Sequence, residues 1–290
     1  MSDIADDYYL KESAYTRTLY REPYPSIDPT SPALSQAGRV VVITGASSGI
    51  GQRGWAAIIL VALDLDGLQE IEKALKQITT DVEYILQPTD ITSPNAVDAL
   101  FEVIKTKYGH ADVLINNAGT FGPTDRIADS DPSLWWRDFE INVKGTYLVS
   151  RAFLKLLGAN RSGSIITVSS GFAVYVDGGA SSYSVSKLTS LRFSEYLAAE
   201  YPNVNCVTIQ PGIMDTTIAI DHHKPFALDS PELVGSTGVW LATDAAAWLS
   251  GRFISANWSV DELIARKEAI LAGDDLTIRY QGKFGYEQFE

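Results

Sequence analysis

Soft and metal-binding side chains are scarce: 290 residues hold one cysteine, three histidines and two methionines. Cys206 has no partner for an internal disulfide and lies in the apolar run VNCVTIQ, so it reads as a small buried residue in a reducing compartment. His110, His222 and His223 have no Cys or His neighbours at ligand spacing, and no metal is expected. Basic charge is also short, with 23 Lys and Arg against 36 Asp and Glu; the net charge of −13 repels nucleic acid and anionic membranes, so neither is an expected partner. No run approaches the ~18 apolar residues of a membrane span. The start, MSDIADDYYLKES, has no basic region followed by an apolar stretch. The expectation is a soluble, cytoplasmic protein.

What is present is enough apolar sequence for a sizeable core, 46% hydrophobic against 20% charged, which suits one globular domain. Residues 1–37 carry five tyrosines and four prolines without a helical or alternating period. They read as an arm, not a core element, with the tyrosines as docking points. From Arg39 the chain turns to short runs rich in β-branched residues: RVVVIT, AAIILVAL, VEYILQ, DVLIN, SIITVSS and VNCVTIQ, six expected strands. Amphipathic stretches lie between most of them, including LQEIEKALKQI, AVDALFEVIKTKY, LWWRDFEINVKGTYLVSRAFLKLLG and SVSKLTSLRFSEYLAAEY. Strand alternating with helix predicts an α/β fold with a doubly wound parallel sheet, Rossmann-like and three-layered. The expected division is an arm over 1–37, a catalytic body over 38–252 and a C-terminal extension over 253–290 packed on that body.

The first strand ends in Thr44-Gly45-Ala46-Ser47-Ser48-Gly49-Ile50-Gly51. Glycines there permit a tight turn and close approach to a pyrophosphate at a helix start, although such glycines also serve in plain turns, and the spacing is not GxGxxG. Asn116-Asn117-Ala118-Gly119 follows DVLIN, and Ser170 ends SIITVSS, so both fall at carboxyl ends of strands, where open α/β sheets bind ligands. Tyr183 and Lys187 in YSVSK are four apart, which puts phenol and ammonium on one helical face. A cation beside a phenol favours phenolate and can bring its proton affinity down from ~10, making Tyr183 a general acid and base; alone, the string reads better as a surface pair.

Taken in order, TGxxxGxG, NNAG, a serine thirteen residues before tyrosine, YxxxK and Pro211-Gly212 followed by Thr216 resemble the short-chain dehydrogenase/reductase family, from about Gly38 to about Gly251. The extended ends resemble those of fungal members. The resemblance implies an NAD(P)-dependent oxidoreductase passing a hydride between nicotinamide and a secondary alcohol or ketone of a small-molecule substrate. It assigns proton exchange to Tyr183, stabilisation of the substrate oxygen to Ser170 in preference to Ser169, and ribose binding to Lys187. Asn142 would hold a water linking the lysine to solvent. For the cofactor it implies Gly45, Ser48, Gly49, Ile50 and Gly51 at the pyrophosphate, and Asp90 with Ile91 at the adenine. Asn117, Ala118 and Gly119 would line the adenine ribose side, and Pro211, Gly212, Ile213 and Thr216 the carboxamide, with Tyr183 and Lys187 also in contact. Asp64 and Asp66, with no arginine nearby, would repel a 2′-phosphate, which leans towards NAD over NADP. The stretch IMDTTIAIDHHKPFALDSPE falls where the family has a mobile lid, with His222 and His223 either near substrate or simply exposed. The family's habit of pairing through the helices holding Asn142 and Lys187 implies a homodimer or homotetramer.

One departure stands out. The family continues its glycine loop into a helix, yet only Gln52, Arg53, Gly54, Trp55 and Ala56 precede AIILVAL. Five helical residues advance about 8 Å, whereas retracing a strand of five or six takes roughly 17 to 20 Å; extended, five residues cover about 16 to 18 Å. The sequence therefore predicts that the first crossover helix is truncated or absent. Losing three or four buried apolar side chains, at ~1.5 to 3 kcal/mol each, would be comparable with a domain's ~5 to 15 kcal/mol margin. Two readings follow: an active oxidoreductase with a less rigid phosphate loop, or a non-catalytic or impaired relative, either a binding or regulatory protein or a truncated gene product.

Overall fold

The structure, a computed structural model, describes residues 5–46, 55–78, 82–216 and 221–282; for residues 55–56 and 221–223 only the backbone is described. Seven strands form one parallel sheet in the order β3-β2-β1-β4-β5-β6-β7. They are β1 (Gln36–Thr44), β2 (Trp55–Ala62), β3 (Glu83–Pro88), β4 (Val113–Asn116), β5 (Gly163–Val168), β6 (Val204–Gln210) and β7 (Phe253–Ser255). The apolar runs are continuous because both faces of the sheet are covered. Alternate residues point opposite ways, and two packed clusters result. Val41, Ile43, Ile58 and Leu60 pack with α2 (Leu65–Ile78) and α7 (Pro231–Leu241). Val40, Val42, Ile59 and Val61 pack with α3 (Pro94–Tyr108), α5 (Thr146–Leu157) and α6 (Ser181–Glu200). This is the doubly wound, three-layer architecture expected.

Four local expectations change. The seventh strand, the short FIS, has too few residues to show a period, and only pairing with β6 makes it a strand. The expected helix over 134–158 is three pieces, α4 (Pro132–Asp138), a π-helical segment (Phe139–Gly145) and α5. The arm does enter the core: Ile27 is fully buried, with Tyr24 and Leu34 beside it. The Tyr24 hydroxyl donates to the carbonyl of Trp258 at 3.1 Å and accepts from the Val260 amide at 2.8 Å, so a tyrosine does dock the arm. Finally, Trp55 and Ala56 belong to β2, not to the connection before it. Only ten residues, 45–54, lie between β1 and β2, where a parallel crossover commonly takes a dozen or more. The predicted loss of a helix falls on residues 47–54, outside the described ones.

Candidate active site

Carboxyl ends of β1, β4, β5 and β6 bring the candidate residues to one edge of the sheet. Strand order reverses at β1, which is flanked by β2 and β4, and such a switch point opens a crevice. Gly45 leaves β1 with φ +63°, and a Cβ there would lie 2.6 Å from Ala118 Cα, so only glycine lets these two strand ends meet. Thr44 and Asn117 bind them together. The Thr44 hydroxyl accepts from the amides of Asn117 and Ala118 at 3.1 and 3.2 Å, and Asn117 Nδ2 donates to the carbonyls of Thr44 and Gly45. Gly119, exposed, sits above Lys187 Nζ and Asn142 Oδ1. Ser48, Gly49, Ile50 and Gly51 lie outside the described residues.

Asp64, beyond β2, is exposed and uses its carboxylate to accept from the Asp66 and Gly67 amides, opening α2. Asp90 forms a similar turn with Thr92, whereas Ile91 is buried against Gly145. Pro211, Gly212 and Ile213 leave β6 half-buried, Gly212 with φ +88°, and Asp229 Oδ2 accepts from the Ile213 amide at 2.7 Å. Thr216 is exposed. Asp221–Phe226 form a 3-10 helix, but the side chains of His222 and His223 lie outside the description.

The four candidate catalytic residues converge. Tyr183 and Lys187 stand on the first turns of α6, 7% and 5% exposed, with Lys187 Nζ 5.7 Å from the Tyr183 ring centre. Nζ donates to the carbonyl of Val168, the last residue of β5, at 2.9 Å. Ser170, two residues further on, accepts from the Phe172 amide at 3.2 Å, and its hydroxyl acts to lower the proton affinity of the Tyr183 phenol. Ser169 points the other way, donating to the Lys187 carbonyl from a buried position. Asn142 lies within the π-helical segment, a distortion that recurs at functional sites. Its amide accepts from the Thr120 N–H and donates to the Thr120 carbonyl and the Ser186 hydroxyl, all at 2.9 Å, which ties the loop after β4 to α6.

Electrostatics run against one expectation. Burial pushes the Tyr183 phenol up to about 12; the Ser170 hydrogen bond lowers it, and the Asp138 carboxylate adds to the rise. Burial also brings Lys187 down to about 8, opposed by Asp138. Burial therefore dominates at the phenol. Asp138 and the rings of Phe121 and Phe172, centred 4.4 and 6.1 Å from that of Tyr183, escaped the sequence reading. An apolar ring after NNAG and a lone acid in a helix carry no motif of their own.

The described part of the crevice fits a dinucleotide. It offers a glycine exit from β1, a carboxylate beyond β2 and a buried ammonium beneath the loop after β4. Fold and site share the arrangement of α/β proteins that bind a ligand in the crevice at the strand switch point. The profile of the short chain dehydrogenase family matches residues 39–225, and the chain belongs to that family. It is 37% identical over 276 residues to short chain dehydrogenase mpl6 of Monascus purpureus, covering 90% of this chain and 94% of that one. With short chain dehydrogenase pigC of Monascus ruber it shares 32% over 285 residues, 91% of this chain and 93% of the other. Among solved structures, a 7α-hydroxysteroid dehydrogenase complexed with NADH and 7-oxo glycochenodeoxycholic acid superposes with TM-score 0.69 at 24% identity, covering 80% and 96% of the two chains. A putative short chain dehydrogenase from Shigella flexneri complexed with NADP gives 0.70 at 24%, covering 78% and 99%.

Proposed function

We propose that this protein transfers a hydride between NAD(P) and a secondary alcohol or ketone of a small molecule, with Tyr183 as general acid and base. The carrying observation is the convergence of Ser170, Tyr183, Lys187 and Asn142 at the carboxyl ends of β4 and β5. Gly45, Asn117, Ala118, Gly119, Asp64, Asp90, Ile91, Pro211, Gly212, Ile213 and Thr216 would hold the dinucleotide with Ser48–Gly51, and the bound nicotinamide would supply or accept the hydride. With its affinity for a proton raised, Tyr183 holds one at neutral pH and donates it from Oη to a carbonyl oxygen, as reduction requires. Ser170 Oγ would donate a hydrogen bond to that oxygen as charge develops. Lys187, still largely protonated below about 8, places a positive charge beside the phenol. Asp64 beyond β2 supports NAD over NADP.

Relatives named as dehydrogenases, matching along nine-tenths of this chain, favour the catalytic reading over an impaired relative. Exposed apolar residues on α4, α5 and α6 support a homodimer or homotetramer; the single buried cysteine supports the cytoplasm. Titrating NADH and NADPH against tryptophan fluorescence tests the cofactor: quenching by NADH at micromolar to low millimolar concentration is expected, and no response to either at millimolar concentration overturns the reading. Tyr183→Phe should then lose activity by ~100-fold or more while its NADH affinity stays within about threefold; retained turnover refutes the assigned role.

A further inference from the structure

Asp138, the last residue of α4, is fully buried beside the Tyr183–Lys187 pair. Its Oδ2 accepts from the Ser182 hydroxyl at 2.6 Å and from the Gly122 amide at 3.0 Å. A Cβ on Gly122 would approach that oxygen to 2.8 Å, so the loop after β4 presses directly on the carboxylate. Its Oδ1 is buried with no hydrogen-bond partner among the described residues. A carboxylate left half-satisfied inside a protein is costly unless its charge is answered nearby. A clasp between three elements could be made by an asparagine, so the bonds alone do not account for the acid.

We propose that Asp138 is a positioning residue of the catalytic pair: its carboxylate locks α4 and the loop after β4 to the head of α6, and its negative charge acts on both Lys187 and Tyr183. The proposal rests on the reading of that pair as the proton-transfer site. Burial raises the Asp138 carboxyl above its ordinary value, and the Ser182 and Gly122 hydrogen bonds, with the charges of Lys187 and Arg137, oppose that rise. Among the described residues, the titratable groups facing the pair are Asp138 from α4 and the pair's own members on α6; β5 and its exit contribute the neutral Val168 carbonyl and Ser170, and Arg137 acts on Asp138 from its own helix. An anion in this place makes both ammonium and phenol hold their protons more tightly, so it keeps Lys187 cationic and Tyr183 an acid near neutral pH. Burial and charge therefore oppose each other at Lys187 and reinforce each other at Tyr183.

The test uses the full chain labelled with 13Cε-lysine, followed by NMR from pH 5 to 10, with the Lys187 signal assigned by its loss in Lys187→Met. Asp138→Asn keeps an oxygen for Ser182 and Gly122 and removes the charge. We expect the Lys187 midpoint to fall by at least about half a pH unit in Asp138→Asn and to stay in place in Ser182→Ala, which loosens the clasp but keeps the carboxylate. An unmoved midpoint in a folded Asp138→Asn overturns the proposal, leaving a purely structural clasp. Should that variant not fold, wild-type Lys187 still decides: a second, acidic inflection as Asp138 protonates supports the coupling, and a single-step titration overturns it. Activity in Tyr183→Phe would sink the underlying reading without touching the midpoint comparison, so the two failures are distinct.

Discussion

Burying an ammonium costs free energy that a protein recovers only if the charge is needed, and Lys187 is the clearest instance here. The folded chain keeps the Lys187 proton only up to about 8, whereas the unfolded chain keeps it up to the ordinary value of 10.5. Between those limits the unfolded state binds more protons, so stability rises with pH from about 8 to 10.5 and the contribution is lost as pH falls through 8. The full span corresponds to about 3 kcal/mol. Tyr183 has the opposite sign in a higher window: its raised value near 12 gives stability that is complete below 10 and disappears as pH climbs towards 12. Urea unfolding of wild type and Lys187→Met at pH 7 and at pH 9.5 separates the two groups. Methionine should raise stability at pH 7 and bring less benefit at 9.5; a constant difference at the two pH values would contradict a buried, titrating lysine.

At the level of elements, the site depends on how closely strand ends approach. β1 and β4 meet at Gly45 and Ala118, and the threonine and asparagine beside them exchange hydrogen bonds across the junction. Gly45→Ala would impose both a strained φ and a 2.6 Å contact with backbone. We expect a loss of ~2 to 4 kcal/mol in urea unfolding, with weaker NADH binding; an unchanged unfolding midpoint would show that the junction yields without cost. Sequence made much of this readable. Glycines and asparagines fell at strand ends, and YxxxK placed two functional groups on one helical face by spacing alone. Illegible were features created by tertiary contact. FIS becomes a strand only beside β6, Ile27 looks like arm sequence until it is buried, and the π-helical turn at Asn142 reads as ordinary helix. Asp138 was invisible for the same reason: its importance comes from what α6 and the loop after β4 bring to it.

Across the whole molecule, the features that hold the chain together are unevenly matched by those that keep it apart. The arm is tied both to the body and to the C-terminal extension, with Arg21 paired to Asp229 at 3.0 Å and Tyr15 stacked under Arg266. Helices α4, α5 and α6 carry large apolar residues in the open: Trp136 on α4 is 59% exposed, Tyr147 on α5 47% and Tyr196 on α6 61%, with Leu188 on α6 at 39%. Exposed aromatics on neighbouring helices suit a self-complementary contact, in which a tryptophan is a typical anchor. Against it stands a charge of −13 on each copy, whose repulsion fades once salt shortens the screening length to ~8 Å or less. Association should therefore tighten as salt rises, the reverse of a contact held by ion pairs. Light scattering coupled to gel filtration should show wild type at two or four times 31.6 kDa in 0.15 M salt. Trp136→Glu should move it to the monomer mass, since losing an anchor worth ~2 kcal/mol weakens binding about 30-fold and the new charge adds to the repulsion. A monomeric wild type, or a variant that keeps the wild-type mass, would place the contact elsewhere. A monomeric variant that still binds NADH would show that each crevice is complete within one chain.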